Sequence, residues 1–525
     1  MPNARILAAL AVLLSVIWAV PVRAEEAPPS RVGRVSATEG AVSLRPAVGE
    51  WTAAAVNDPI TTGMALRTSS TARGGVGIAG MRTTLSGTSE FEVARLDDGI
   101  VQLVLKQGRI GIHLARLESG AAIEIDLPQG GVWLLAPGDY DIAAGNDQMP
   151  GRVAVFAGQA RFAGGGTDRT IAAGSALALN GRGPVMGTPG NAAADDFVAY
   201  WRPAADSAAE PAALHHVSAE MTGWDMLDNA GNWQEAAGIG DVWVPKSVPD
   251  DWAPYRYGHW RWVMPWGWSW IDDMPWGFAP SHYGRWARIA GASLGNERWA
   301  WVPGAEVAHP VYMPAAVNFL GSAGIGLSGP DPVGPVVAWF PLAPGEAYWP
   351  GYTSDLALIR RINAGAVKDV AKIGPGVGSE PPGELITASY QNRRFASVVP
   401  RAVFAGGRAV APALVSLPPE RIDNAPMLLA SPQIMPPASR PVVVAMASAV
   451  HTLARILTPH PSRAVARTAM MRPGRKAYAQ TQTRSAFNAR VAMSAGRARA
   501  RAIAAYARTT KARTHLASAS RTRWH

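Results

Sequence analysis

Fourteen of the chain's 20 tryptophans fall between Trp201 and Trp301. So many indoles in so short a stretch need either a core that accepts them or a surface that displays them, since each large aromatic buries about 150–250 Å². They recur with a pattern. Ala253-Pro-Tyr-Arg-Tyr-Gly-His-Trp260 returns as Ala279-Pro-Ser-His-Tyr-Gly-Arg-Trp286, and Trp268-Ser-Trp270-Ile-Asp corresponds to Trp299-Ala-Trp301-Val-Pro. Gly231-Asn-Trp233 with Val242-Trp243-Val-Pro245 reads as a weaker first copy, and a degenerate last copy ends at Trp339-Phe-Pro341. Each unit predicts a β-hairpin, two aromatic strands around a glycine-containing turn. Such a unit cannot bury its face alone and is expected to pack on its neighbours.

Side chains alternate along a strand, so Trp260 and Trp262 share one face, as do Trp266, Trp268 and Trp270. Gly267 and Ser269 leave the opposite face small. Two readings follow: the indole face is the domain core, or it is a flat platform on which a sugar ring stacks. Trp260, Trp268, Trp286 and Trp299 hold equivalent places in the two best copies and are expected in the core. Tyr255, Tyr257 and Tyr283 each stand close before a glycine and beside Arg256, His282 or Arg285. These six are the candidate ligand-binding residues, expected to be partly exposed, because polar-tipped aromatics next to planar cations suit a polar polymer.

The motifs Asp195-Asp196-Phe197, Val217-Ser-Ala-Glu-Met221-Thr-Gly223, Asp251-Trp252-Ala-Pro-Tyr255-Arg-Tyr-Gly258, Asp273-Met-Pro-Trp276 and Trp339-Phe-Pro-Leu-Ala-Pro-Gly-Glu346 run through this region. With Asn392-Arg393 and Phe404-Ala-Gly-Gly-Arg408 they resemble a tryptophan-rich domain of unknown function often found after FecR-like domains in bacterial exported proteins. The resemblance covers roughly residues 195–410. Trp201-Arg-Pro-Ala stands where that family usually carries a charged helix. The resemblance supplies no activity.

Residues 30–182 carry strand periodicity. Ile110, Ile112 and Leu114 alternate with Gly111 and His113, and Ile123, Ile125 and Leu127 with Glu124 and Asp126. Pro-Gln-Gly-Gly and Ala-Pro-Gly-Asp then turn the chain. This spacing predicts an antiparallel β sandwich or roll. Gly33-Arg34-Val35, Gly40-Ala41-Val42, Thr61-Thr62-Gly63-Met64-Ala65-Leu66-Arg67-Thr68 and Arg152-Val153-Ala154-Val155-Phe156-Ala157-Gly158-Gln159-Ala160 resemble the FecR-type periplasmic domain. In the regulators of that name the domain senses a transport signal, and a cytoplasmic N-terminal segment holds a sigma factor. Only a few residues precede the apolar run here, so that segment is expected to be absent.

Arg5, the run Ile6–Val20 and the Val22-Arg23-Ala24 site followed by Glu25-Glu26 form the pattern of a secretory signal cleaved after Ala24. The run is shorter than the roughly 18 residues of a membrane span, so no transmembrane segment is expected after cleavage. The expected location is the periplasm or the outside of the cell. There is no cysteine, which excludes disulfides, thiolate nucleophiles and Cys zinc sites.

From Arg440 onward there are 17 Lys or Arg and no acid. The chain's +10 includes these and the two signal arginines, so Glu25 to Ser439 carries −9. The basic character belongs to a tail, residues 440–525, expected to be disordered or transiently helical around 487–508. Arg497, Arg499, Arg501, Lys511 and Arg513 are its candidate polyanion-binding residues, for an anionic envelope surface and not for a specific nucleic acid. Residues 354–439 begin with a short helix at 354–362 and continue as a Pro- and Gly-rich, loosely packed extension.

The acid pairs Asp250-Asp251 and Asp272-Asp273 are adjacent residues, which face opposite sides of a strand and cannot flank one glycosidic bond. They read as turn chemistry. Gly75-Val-Gly77-Ile-Ala-Gly80 and Gly324-Ile-Gly326-Leu-Ser-Gly329 open no βαβ unit, and His215-His216 lacks metal-ligand spacing. No cofactor, metal site or catalytic constellation is expected. The sequence therefore predicts a mainly β, exported, non-catalytic protein. Its FecR-like domain (30–182) and Trp-rich hairpin domain (195–353) should bind or scaffold an envelope glycan or protein. A periplasmic signalling role is the alternative, and a cell-wall hydrolase a more distant one.

Overall fold

The structure, a computed structural model, describes residues 28–435 apart from 182, 203–210, 292–296, 322–326, 331–332 and 377–380. Residues 1–24, expected to be a signal sequence, and the expected tail 440–525, with Arg497, Arg499, Arg501, Lys511 and Arg513, lie outside the described residues. Among the described residues, no helix is long and apolar enough to cross a membrane.

Gly33 to Asn191 forms two stacked sheets of nine strands each. The chain deals its strands alternately to the two sheets. Arg73–Ile78 and Met81–Leu85 pair in the first, Glu90–Leu96 and Ile100–Gln107 in the second, and Arg109–Leu114 returns to the first. Pairing is antiparallel except where Ala122–Leu127 runs parallel to Ile100–Gln107. The predicted alternation holds in three dimensions. Ile110 and Ile112 are fully buried, opposite Ile142 and Tyr140. Ile123 and Ile125 pair with Leu134 and Val132 and close the same core. The Gly75 and Gly77 of the glycine-rich string lie within strand Arg73–Ile78.

The first module extends past residue 182. A further strand, Met186–Asn191, is mostly exposed and lacks alternation, so nothing in its pattern announced it. Helix Asp196–Trp201 also belongs here and not to the Trp-rich module as expected. Asp195 caps it by accepting from the Val198 amide at 3.0 Å. The same carboxylate pairs with Arg109 at 2.6 Å, which in turn pairs with buried Asp141 at 2.8 Å. The Trp201 indole lies flat on strand Arg109–Leu114 because Gly111 has no side chain; a Cβ there would sit 2.2 Å from the ring.

The Trp-rich module contains the predicted hairpins. Gly258–Val263 and Gly267–Asp272 pair with Trp260 opposite Trp270 and Trp262 opposite Trp268. Arg285–Ala290 and Glu297–Val302 pair with Trp286 opposite Trp301. Gly231–Ala236 and Gly240–Pro245 place Trp233 opposite Trp243 and join the second of these hairpins in a four-stranded sheet. The last copy closes only a short local hairpin, Leu327–Ser328 against Pro335 and Val336, and takes most of its pairing from farther along the chain. Pro335–Pro341 pairs with Val317–Leu320 on one side and with Ser397–Pro400 on the other.

That pairing corrects the expectation of a loose extension. Helix Leu356–Asn363 forms where predicted. Beyond it, Ser397–Pro400 and Met427–Leu428 complete the five-stranded sheet. Val403, Phe404, Val410 and Ile422 enter the aromatic core. Isolated apolar residues between prolines have no period to read, yet each fills a gap among the indoles.

Candidate functional site

Nine of the ten indoles from Trp252 to Trp301 are buried, and Trp262 is half-buried. Trp260, Trp268, Trp286 and Trp299 are core residues, as expected. Trp260 sits among Phe319, Trp339, Phe404 and Trp270 with ring centres 5.3–5.5 Å apart, the tilted and edge-on spacings that aromatic quadrupoles favour. Several indole N–H groups find carbonyl partners, while those of Trp252 and Trp260 have no protein acceptor among the described residues. Trp243 donates to Leu227 O at 3.0 Å, Trp286 to Pro280 O at 3.0 Å, and Trp301 to Tyr283 O at 2.9 Å.

The candidate ligand residues follow them inward. Tyr255 is 1% and Tyr283 3% exposed, and His282 and Arg285 are each 1% exposed. The expectation of exposed tyrosines is therefore wrong for Tyr255 and Tyr283. The neighbouring cations misled it, because they too are buried and satisfied by backbone. The Tyr255 hydroxyl donates to Ser281 O at 2.9 Å and accepts from the Ala316 amide at 3.2 Å. His282 meets Met313 O at 2.7 Å, and burial lowers its pKa to about 3. Arg285 donates to Glu346 O, Gly284 O and Asn363 Oδ1, with burial lowering its pKa to about 10. Arg256 and Tyr257 remain half-buried and close a turn on the Asp251 carbonyl and carboxylate.

The acid pairs are turn chemistry, as read. Asp272 is fully enclosed, and its oxygens accept from the Trp270 indole at 2.9 Å and the Met274 amide at 2.9 Å. Burial raises its pKa to about 7.

Around Asp272 the two modules meet, and they are not separate as expected. Buried Asn57 of the first module donates to Asp272 O at 2.9 Å and Met274 O at 2.8 Å. Its φ of +68° directs the amide outward, a conformation asparagine tolerates better than most residues. Beside it, Arg261 pairs with fully buried Asp58 at 2.6 Å, where burial still holds the Asp58 pKa above the usual carboxylate value. The Thr222 hydroxyl donates to Val32 O at 2.7 Å and accepts from the Ala79 amide at 3.1 Å. Arg34, 1% exposed, reaches Asp225 at 3.5 Å, and Arg31 pairs with Glu220. Val32 itself lies in the aromatic core.

The Trp-rich module carries an open groove of ≈1150 Å³. The tip of the Gly231–Pro245 hairpin, the turn after Glu297–Val302, and residues of the extension form its walls. Exposed Asp241, Glu306, Lys368, Lys372 and Glu384 line it, with Arg285 at its floor. On one wall His216 Nδ1 donates to the Asp241 carboxylate at 2.9 Å, and its ring stacks on Trp233 with ring centres 4.1 Å apart. Sequence reading missed this site because half its lining comes from the extension.

The fold and site define a two-module, mainly β protein whose aromatic repeats build a core beside a polar groove. Residues 224–346 match DUF6600, a family of unknown function. No curated protein matches the chain. Among solved structures it is similar to two titled "Crystal structure of a putative anti-sigma factor from Parabacteroides distasonis ATCC 8503". One shows 12% identity and a TM-score of 0.24 over 26% of this chain and 63% of that one. The other shows 14% identity and a TM-score of 0.21 over 23% and 56%. The chain thus spans less than two thirds of either.

Proposed function

We propose that this chain is a non-catalytic binding protein of the cell envelope whose ligand, a segment of another envelope protein, seats in the groove of the Trp-rich module. The observation that carries this reading is the groove's lining. Two lysines and several carboxylates line it, and among the described residues no indole opens into it. Mixed charge on a concave surface suits a polypeptide, whose own charges and amides need several partners at once. A sugar-stacking platform needs the exposed aromatic faces that the core has absorbed. The FecR-like sandwich acts in this reading as a rigid mount, held by Asn57, Asp58 and Arg34. Export through the signal sequence and attraction of the basic tail to an anionic surface complete the proposal.

The test reverses groove charges in the full chain, with Lys368→Glu, Lys372→Glu and Glu384→Lys together. All three side chains are exposed, so melting should be unchanged. Capture of a partner from envelope extracts should be lost. Capture of the same partner by both forms would refute the groove as its seat.

A further inference from the structure

Glu118, Glu220 and His309 come from three segments remote in sequence, and their ligand atoms all lie within 4.8 Å of one another. Glu118 stands on the loop between strands Arg109–Leu114 and Ala122–Leu127 of the first module. Glu220 and His309 belong to the Trp-rich module. We propose that these three side chains form a divalent transition-metal site, of the zinc class, that clasps the two modules together.

The ligand set decides the class. Two carboxylates and one imidazole suit a borderline cation bound at about 2.0–2.2 Å. Calcium takes about six to eight oxygens, and magnesium keeps a near-complete oxygen octahedron. Ligand atoms on a tetrahedral zinc lie about 3.4 Å apart, so each flexible side chain needs to move by less than about 1 Å. Three protein ligands leave a position open to water, and His309 is exposed, so the ion has a way in.

The segments are already held in place. The Ser218 hydroxyl donates to Ala308 O at 3.0 Å and accepts from the Glu220 amide at 3.1 Å. One hydroxyl thereby ties the backbone of Glu220 to the residue before His309. Arg31 engages Glu220 through one carboxylate oxygen. A carboxylate offers about four lone-pair sites, so the other oxygen can still ligate. Asp98 stands near Glu220 and is itself held by Arg361 at 3.1 Å and by Ser30. The three ligands thus stand where the two modules join, and a cation bound by both sides favours the joined state over any separated one.

The experiment is calorimetric titration of the metal-free full chain with Zn²⁺, beside Ca²⁺ and Mg²⁺, together with thermal melting. Wild type should bind one Zn²⁺ and melt at a higher temperature with it, and should do neither with Ca²⁺ or Mg²⁺. His309→Ala and Glu118→Gln, both at surface-accessible positions, should melt normally without metal. Each should bind Zn²⁺ at least as poorly as the roughly 10–100-fold loss that removing even an outer-shell partner causes. Wild-type affinity in both variants would overturn the proposal. So would loss of binding on His215→Ala/His216→Ala instead, or the absence of any Zn²⁺ effect on wild type.

Discussion

Replacing Asp272 with asparagine should change the stability of the protein by an amount that depends on pH. Burial raises the Asp272 pKa from its ordinary 3.8 to about 7. Between those values the folded protein holds a proton that the unfolded chain has released, so stability falls as pH rises through the window and is constant above it. The full cost is about 4 kcal/mol at pH 8 and about 2 kcal/mol at pH 5, at about 1.4 kcal/mol per pKa unit. Asparagine carries no charge and escapes this cost. It has one acceptor oxygen, however, and Asp272 serves both Trp270 Nε1 and the Met274 amide. One buried donor is left without a partner, at about 1–3 kcal/mol. Asp272→Asn should therefore stabilise by about 2 kcal/mol at pH 8 and be close to neutral at pH 5, the difference growing by about 1.4 kcal/mol per pH unit up to about pH 7 and levelling off above it.

Two desolvated histidines, half-buried His259 and buried His282, act in the opposite direction. Desolvation lowers His259 to about 4 and His282 to about 3, so acidification below their unfolded value near 6.5 favours the unfolded chain. Both are present in wild type and variant and cancel in the difference. Urea unfolding followed by tryptophan fluorescence, run on both proteins from pH 5 to pH 8, measures it. A difference that does not vary with pH would refute a neutral buried Asp272.

Asn57→Ala should leave the carbonyls of Asp272 and Met274 without their donor and cost about 1–3 kcal/mol. Limited proteolysis should then cut between the modules faster than in wild type, and an unchanged rate would show that the contact does not hold them. Tyr255→Ala should cost about 3–5 kcal/mol, as truncating a buried aromatic does, whereas Tyr255→Phe should cost about 1 kcal/mol for the lost hydroxyl. Melting temperatures separate the two, and an unaffected Tyr255→Ala would place that ring outside the core.

Period and turn chemistry made much of this fold legible. Ile110, Ile112 and Leu114 announced an inward face, and the Trp260 and Trp286 repeats announced hairpins, because alternation is a local property. Residues whose role depends on long-range packing were not legible. Phe404 and Val410 sit in a stretch with no period; Phe404 packs on Trp260, and Val410 joins the same core. Tyr255 and Tyr283 were misread as exposed because flanking cations ordinarily mark a surface, while here Arg285 is enclosed by carbonyl oxygens. The groove and the Glu118, Glu220 and His309 cluster draw on loops that meet only after both modules fold, and no spacing along the chain encodes them.

The central claim is that the groove holds an envelope protein. A photo-crosslinking residue placed at Lys368 or Glu384 in cells tests it most directly, with a control at exposed Arg82 on the first module. The account predicts one discrete crosslinked partner from the groove positions, absent from the control and lost when Lys372 is reversed to glutamate. No adduct from the groove, or the same adduct from Arg82, would contradict it.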